Sequence, residues 1–195
     1  MAKKESSFMN MVLTLLVVTI VAAMALGGVY TVTKGPIAIA KRKKVEKAIG
    51  QVVPAFDTIM SEYKVKPATG KDSLTFFEAW NGGEKVGTAV KTFTDEGFSG
   101  RIWIMVGFDF EGTINNTAVL EHKETPGLGD KMDIKKSDFS KQFAGKNPKD
   151  FKLQVTKDGG DVDAITAATI SSRAFCDAVK RGYEAFEKES KEEQD

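Results

Sequence analysis

From Ser6 to Thr33 the chain carries no charged residue, and Met11–Val32 is almost wholly apolar. About 20 such residues cross a bilayer as a helix. A cleaved signal peptide is the competing reading, because Ala23-Met24-Ala25 has the small-x-small form of a cleavage site. The apolar run continues past that point through Leu26, Val29, Tyr30 and Val32, which favours a retained anchor. Beyond it, Ile39–Val53 changes period. Val45, Ala48, Ile49 and Val52 recur at helical spacing with lysines between them, and Pro54 stops the pattern. This predicts an amphipathic stalk helix that packs onto a globular domain, with a helix lying on the membrane surface as the lesser reading. The pattern divides the chain into a tail and span (1–33), a stalk (34–54) and a domain (55–195).

The domain begins in strand-like patterning. Leu74–Trp80 and Glu84–Phe93 flank Asn81-Gly82-Gly83, a hairpin signal. Arg101–Phe110 alternates less cleanly and reads as a buried strand. Glu111-Gly112 turns it into Thr113–His122, and Phe151–Thr156 is a further expected strand. Asp138–Ala144 is a short helical or turn segment with Phe139 and Phe143 on one face. A final helix is expected from about Ala167 to near Glu189, with Phe175, Val179, Tyr183 and Phe186 as its core stripe. Ala174, Ala178 and Gly182 form a narrower line of small residues suited to close packing. The fold class is α+β: a mostly antiparallel twisted sheet packed by helices behind one membrane span.

Composition narrows the chemistry. At 195 residues and 42% hydrophobic, the chain holds one domain with appendages and can form a core. The 28 Lys+Arg nearly cancel the 27 Asp+Glu, so no basic excess points to nucleic acid. Cys176 and His122 are each the sole residue of their kind. That excludes an internal disulfide and leaves little for a transition metal. Iron–sulfur ligation needs several thiolates, so a redox cofactor held by this chain alone is organic.

Three loops stand out. Gly97-Phe98-Ser99-Gly100 lacks the Lys and Ser/Thr of a phosphate loop; its plain reading is a turn, and the alternative is a place where backbone approaches a ligand. In Glu124-Thr125-Pro126-Gly127-Leu128-Gly129-Asp130, Pro126 fixes its own φ while Gly127 and Gly129 permit conformations other residues resist. The third is Asp163-Ala164-Ile165-Thr166-Ala167-Ala168-Thr169-Ile170-Ser171-Ser172. With Thr166 as N-cap, Ala167, Ala168 and Thr169 form a first helical turn whose free N–H groups, with the hydroxyls of Ser171 and Ser172, suit a phosphate. The plainer reading is an ordinary Ser/Thr-capped helix start. Asp161 and Asp163 could bind a metal as paired carboxylates, but the plainer reading is turn and cap residues.

Asp-x-x-Thr-Ala-Ala-Thr at 163–169 resembles the flavinylation motif Asp-x-x-(Ser/Thr)-Gly-Ala-Thr, with Ala167 where the motif usually has Gly. The motif belongs to the FMN-binding domain shared by the G subunit of Rnf ion-translocating complexes and the C subunit of the sodium-pumping NADH:quinone reductase. The Glu124–Asp130 segment is similar to a second segment of that family. The resemblance implies one FMN held by a phosphoester on Thr169 and installed from FAD by a separate flavin transferase, for which Asp163 helps present the threonine. Thr166, Ala168, Ser171 and Ser172 would surround the attachment point. Glu124, Thr125, Gly127, Leu128 and Gly129 would lie against the isoalloxazine ring. It further implies an electron-carrying subunit, with other subunits of a membrane complex and the lipid bilayer as partners. One His, one Cys and the lack of an arguable nucleophile–base pair or nicotinamide fingerprint mean that no turnover of its own is expected. The family places the domain on the extracytoplasmic face of the cell (inner) membrane, and that side is the expectation here. Charge alone argues the reverse, since Lys34, Lys41, Arg42, Lys43 and Lys44 after the span outnumber Lys3 and Lys4 before it. Chain length fits the Rnf protein better than the longer quinone-reductase one. The latter, and a tethered scaffold without cofactor, are the alternatives.

Overall fold

The computed structural model describes residues 7–67 and 72–192. Two compact units divide at Lys43/Lys44, inside the first helix, α1 (Phe8–Val52). This helix runs without a break through Pro36, so the expected span and stalk are one element rather than two. Among the described residues it is the helix long and apolar enough to cross a membrane. Its threonine hydroxyls are satisfied internally. Thr14 donates to the Asn10 carbonyl at 2.8 Å and Thr33 to the Val29 carbonyl at 2.8 Å, as a helix in hydrocarbon requires.

In the second unit five strands form an antiparallel meander in chain order: β1 (Thr58–Val65), β2 (Leu74–Asn81), β3 (Glu84–Thr94), β4 (Ile102–Phe108) and β5 (Ile114–Glu121). The β2–β3 hairpin closes on Gly82 and Gly83, both at positive φ (61° and 88°), which is the backbone a two-residue turn of matching twist needs. β1 has no counterpart among the expected strands. Among the described residues it pairs only with β2, and its residues alternate exposed and half-buried up to the buried Val65.

Helices cover both faces. On one, Ala48, Ile49 and Val52 at the end of α1 pack with Phe77, Ala79, Ala89, Met105 and Leu120. Gly107 in β4 makes room: a Cβ there would stand 1.8 Å from the Val52 carbonyl oxygen. On the other lies α2 (Thr169–Glu192), whose Phe175, Val179, Tyr183 and Phe186 are buried. Its line of small residues meets β3. Thr92 donates to the Ala178 carbonyl at 2.9 Å, and a Cβ on Gly182 would come to 3.3 Å from the Thr92 methyl. Cover on both faces explains why β4 shows no clean alternation, since all but one of its residues are buried.

The expected strand at 151–156 is absent. Lys152 and Gln154 instead brace the turn before the third loop. The Asp161 carboxylate accepts the Lys152 N–H at 2.7 Å, the Gln154 carbonyl accepts the Val162 N–H at 3.0 Å, and a short 3-10 turn follows at Thr156–Asp158. A second 3-10 turn, Phe139–Phe143, lies under α2. Phe139 meets Phe175 edge-to-face at a centroid distance of 5.4 Å, and Phe143 meets it tilted at 5.0 Å.

Candidate functional site

The 163–172 segment is pinned before its helix begins. The Gln142 side chain reads the Asp163 backbone twice, its amide donating to the carbonyl at 3.1 Å and its oxygen accepting the N–H at 2.8 Å. The chain then folds over Ile165–Ala168, with the Ala168 N–H donating to the Ile165 carbonyl at 3.0 Å. Ala167, third in this turn, has φ +61°, the only non-glycine at positive φ among the described residues. Turns with positive φ at that position favour glycine. A left-handed residue cannot sit in a right-handed helix, so α2 starts at Thr169 and Ala168 replaces Thr166 as the residue before the first turn. Its carbonyl takes the first intrahelical bond, from the Ser172 N–H at 3.0 Å. The N–H groups of Thr169, Ile170 and Ser171 begin the helix and have no intrahelical acceptor.

The four hydroxyls of the segment have different surroundings. Ser172 is fully buried and faces inward; its oxygen accepts the Ile165 N–H at 2.9 Å and donates to the Ala168 carbonyl at 3.0 Å. Ser171 is buried and donates to Oε2 of Glu124 at 2.5 Å. Thr166 is exposed on the turn. Thr169 is half-buried on the wall of a cleft. Among the described residues neither threonine hydroxyl is hydrogen-bonded.

The cleft has a volume of about 290 Å³ and lies between the Glu124–Asp130 loop, the start of α2 and Phe98. Glu124, Thr125, Leu128, Gly129, Ala168, Thr169 and Ser171 line it, as do Ala167 and Ile170. Thr166, Gly127 and Ser172 do not. The loop is held by its own last residue. Asp130 Oδ1 accepts the Gly127 N–H at 2.7 Å, and Lys136 donates to Oδ2 at 2.7 Å. The lysine, with the Gly127 N–H in support, holds the Asp130 carboxyl below the usual carboxylate range. Gly127 has φ +79° and shapes the turn rather than the cleft wall.

Glu124 ties the three segments together. Its Oε1 accepts the Ser99 N–H at 2.9 Å, its Oε2 accepts Ser171, and its own N–H donates to Nδ1 of His122 at 3.1 Å. Two glycines stand against this carboxylate. A Cβ on Gly129 would lie 2.4 Å from Ser171 Oγ and 2.6 Å from Glu124 Oε2; one on Gly97 would lie 2.9 Å from Oε1. Three large apolar side chains, Phe98, Leu128 and Ile170, remain exposed around the cleft (67%, 41% and 48%). Phe98 and Ile170 went unassigned in the sequence; an aromatic between two glycines and an isoleucine at the solvent face of a helix start are the signals that mark them.

The cleft therefore offers apolar contacts for a flat ring system beside unpaired helix N–H groups and a free hydroxyl, and a flavin mononucleotide fits that combination. A family model described as an FMN-binding domain matches residues 97–184, a stretch that holds every residue lining the cleft. The chain is also similar to proteins named as the G subunit of an ion-translocating oxidoreductase complex. The one from Cronobacter sakazakii is 37% identical over 155 residues, covering 77% of this chain and 74% of the relative. The one from Aliivibrio fischeri is 38% identical over 172 residues (83% and 82%), and that from Escherichia coli K12 is 39% identical over 157 residues (76% of each). The chain belongs to the family of Rnf-type ion-translocating oxidoreductase G subunits.

Proposed function

We propose that this protein is a membrane-anchored electron carrier in an ion-translocating oxidoreductase, with one FMN esterified to Thr169. The observation that carries the attachment point is the fate of the four hydroxyls. Ser171 and Ser172 are buried and committed to internal hydrogen bonds, and Thr166 lies off the cleft. Thr169 alone combines a place on the cleft wall with a hydroxyl that makes no hydrogen bond among the described residues.

Attachment by a flavin transferase is a phosphoryl transfer from FAD. The Thr169 oxygen forms a bond to the flavin-side phosphorus, the pyrophosphate P–O bond breaks, AMP leaves, and the hydroxyl proton passes to a base of the transferase. Once bound, FMN supplies the capacity to accept and release electrons one at a time. The chain supplies position. Helix N–H groups at Thr169–Ser171 would be available to a phosphate at the attachment point. Leu128, Phe98 and Ile170 would offer apolar contact to the ring. The cleft opens to solvent, so a flavin held there would be within reach of a docked partner. An ester bond prevents loss of the cofactor by dilution in an extracytoplasmic compartment, where the family expectation puts the domain.

Electron relay is tested in membranes carrying the assembled complex. Thr169→Ala should abolish electron transfer and the ion gradient together while assembly is preserved. Pumping at the wild-type rate in that variant would leave this protein a structural role only.

A further inference from the structure

Glu124 is a buried carboxylate (4% exposed) on the wall of the flavin cleft. Such a group is costly to bury unless its charge is compensated. The other buried carboxylate of the loop, Asp130, is neutralised by Lys136 at 2.7 Å. Glu124 forms no ion pair among the described residues. Its compensation comes from neutral donors, the Ser99 N–H on one oxygen and the Ser171 O–H on the other, and from the positive end of α2, where Ser171 stands in the first turn. Gly97 and Gly129 pack against the same two oxygens, so the cleft is built closely around this carboxyl group.

We infer that Glu124 is a potential-setting residue: its carboxylate, shielded in part by Ser171, places a negative charge in the cleft that lowers the midpoint potential of the flavin bound there. This rests on the flavin reading above. Adding electrons to a flavin beside a fixed negative charge is disfavoured, and the low dielectric of a buried site strengthens the effect. The Ser171 hydroxyl opposes it by drawing charge toward its own proton. Two substitutions should therefore act with opposite sign. Glu124→Gln keeps the shape, and its amide can donate to Ser171 Oγ, but it removes the charge. Ser171→Ala keeps the charge and removes the shield. A merely structural clamp would give both variants the same kind of loosening and no reason for opposite signs.

The test is spectroelectrochemistry of the full-length flavinylated chain in detergent, with circular dichroism of each variant alongside. Glu124→Gln should raise the midpoint potential and Ser171→Ala should lower it. Shifts of the same sign, or no shift in either, would overturn the inference. Should Glu124→Gln fail to fold or to take up flavin, Ser171→Ala decides alone: a fall supports the inference, and a rise or no change refutes it. Wild-type protein isolated after co-expression with a flavin transferase but carrying no flavin would overturn the attachment reading itself, an outcome distinct from flavin-loaded variants with unaltered potentials.

Discussion

The Ser171 hydroxyl donates to Glu124 Oε2 across 2.5 Å, joining the first turn of α2 to a loop 47 residues earlier in the chain. Gly129 is the third party to that bond, because a methyl group there would intrude on both oxygens, at 2.4 Å from the serine and 2.6 Å from the glutamate. The second glycine of Pro-Gly-Leu-Gly is thus required by space, and the first by φ. Gly129→Ala should break the Glu124–Ser171 contact and destabilise the domain by about 1–3 kcal/mol, the usual cost of overpacking. Urea denaturation checks this, and Gly127→Ala should also destabilise, through backbone conformation instead of a clash.

Ala167 should be improvable. Its φ of +61° costs a residue with a Cβ about 1 kcal/mol more than it costs glycine. Ala167→Gly should raise the thermal midpoint slightly and leave flavin attachment intact. A lowered midpoint would mean that the methyl group contributes packing that outweighs the backbone strain.

Cys176 should be inert in the folded domain. It is 2% exposed, and burial pushes its thiol up to about 12. A thiol reagent at about pH 8 should leave it unlabelled over the time in which a denatured sample reacts fully. Rapid labelling of native protein would place the residue outside the core.

Acid should loosen the Glu124–Asp130 loop. The Asp130 carboxyl is held below its ordinary value by Lys136, so the pair's stabilisation is complete above the ordinary aspartate range and is lost as pH falls through the lower, folded-state value. Lys136→Met should flatten that part of the stability-against-pH curve, measured by denaturation between neutral and acid pH. A curve of unchanged shape would mean that Asp130 gains nothing from the lysine.

Much of this was legible in the sequence because it is local. The span follows from an uncharged run, the hairpin from Asn81-Gly82-Gly83, and the stripe of α2 from its period. The misses are tertiary. Phe151–Thr156 has strand-like residues, but they brace a turn rather than a ladder. The paired edge strand β1 lacks the strong apolar pattern of its neighbours, since only Val65 of its eight residues is buried. Thr166 looked like an N-cap because it precedes a helical period. The cap position is decided by the backbone of Ala167, whose left-handed turn delays the helix to Thr169. The position that the related motif gives to glycine is the one that needs positive φ, so the exception at Ala167 was visible and its meaning was not. The Ser171–Glu124 bond lay wholly beyond a linear reading, because no spacing rule pairs residues so far apart.

The central claim, FMN on Thr169, is tested most directly by peptide mapping. Trypsin cuts after Lys157 and Arg173, so one peptide, Asp158–Arg173, holds all four hydroxyls at 166, 169, 171 and 172. After co-expression with a flavin transferase, that peptide should be fluorescent and heavier by one FMN less water, and fragmentation should place the added mass on Thr169. Thr169→Ala should yield the same peptide unmodified, with no fluorescent band on a denaturing gel. Added mass on Thr166, Ser171 or Ser172, or undiminished fluorescence in Thr169→Ala, would contradict the account.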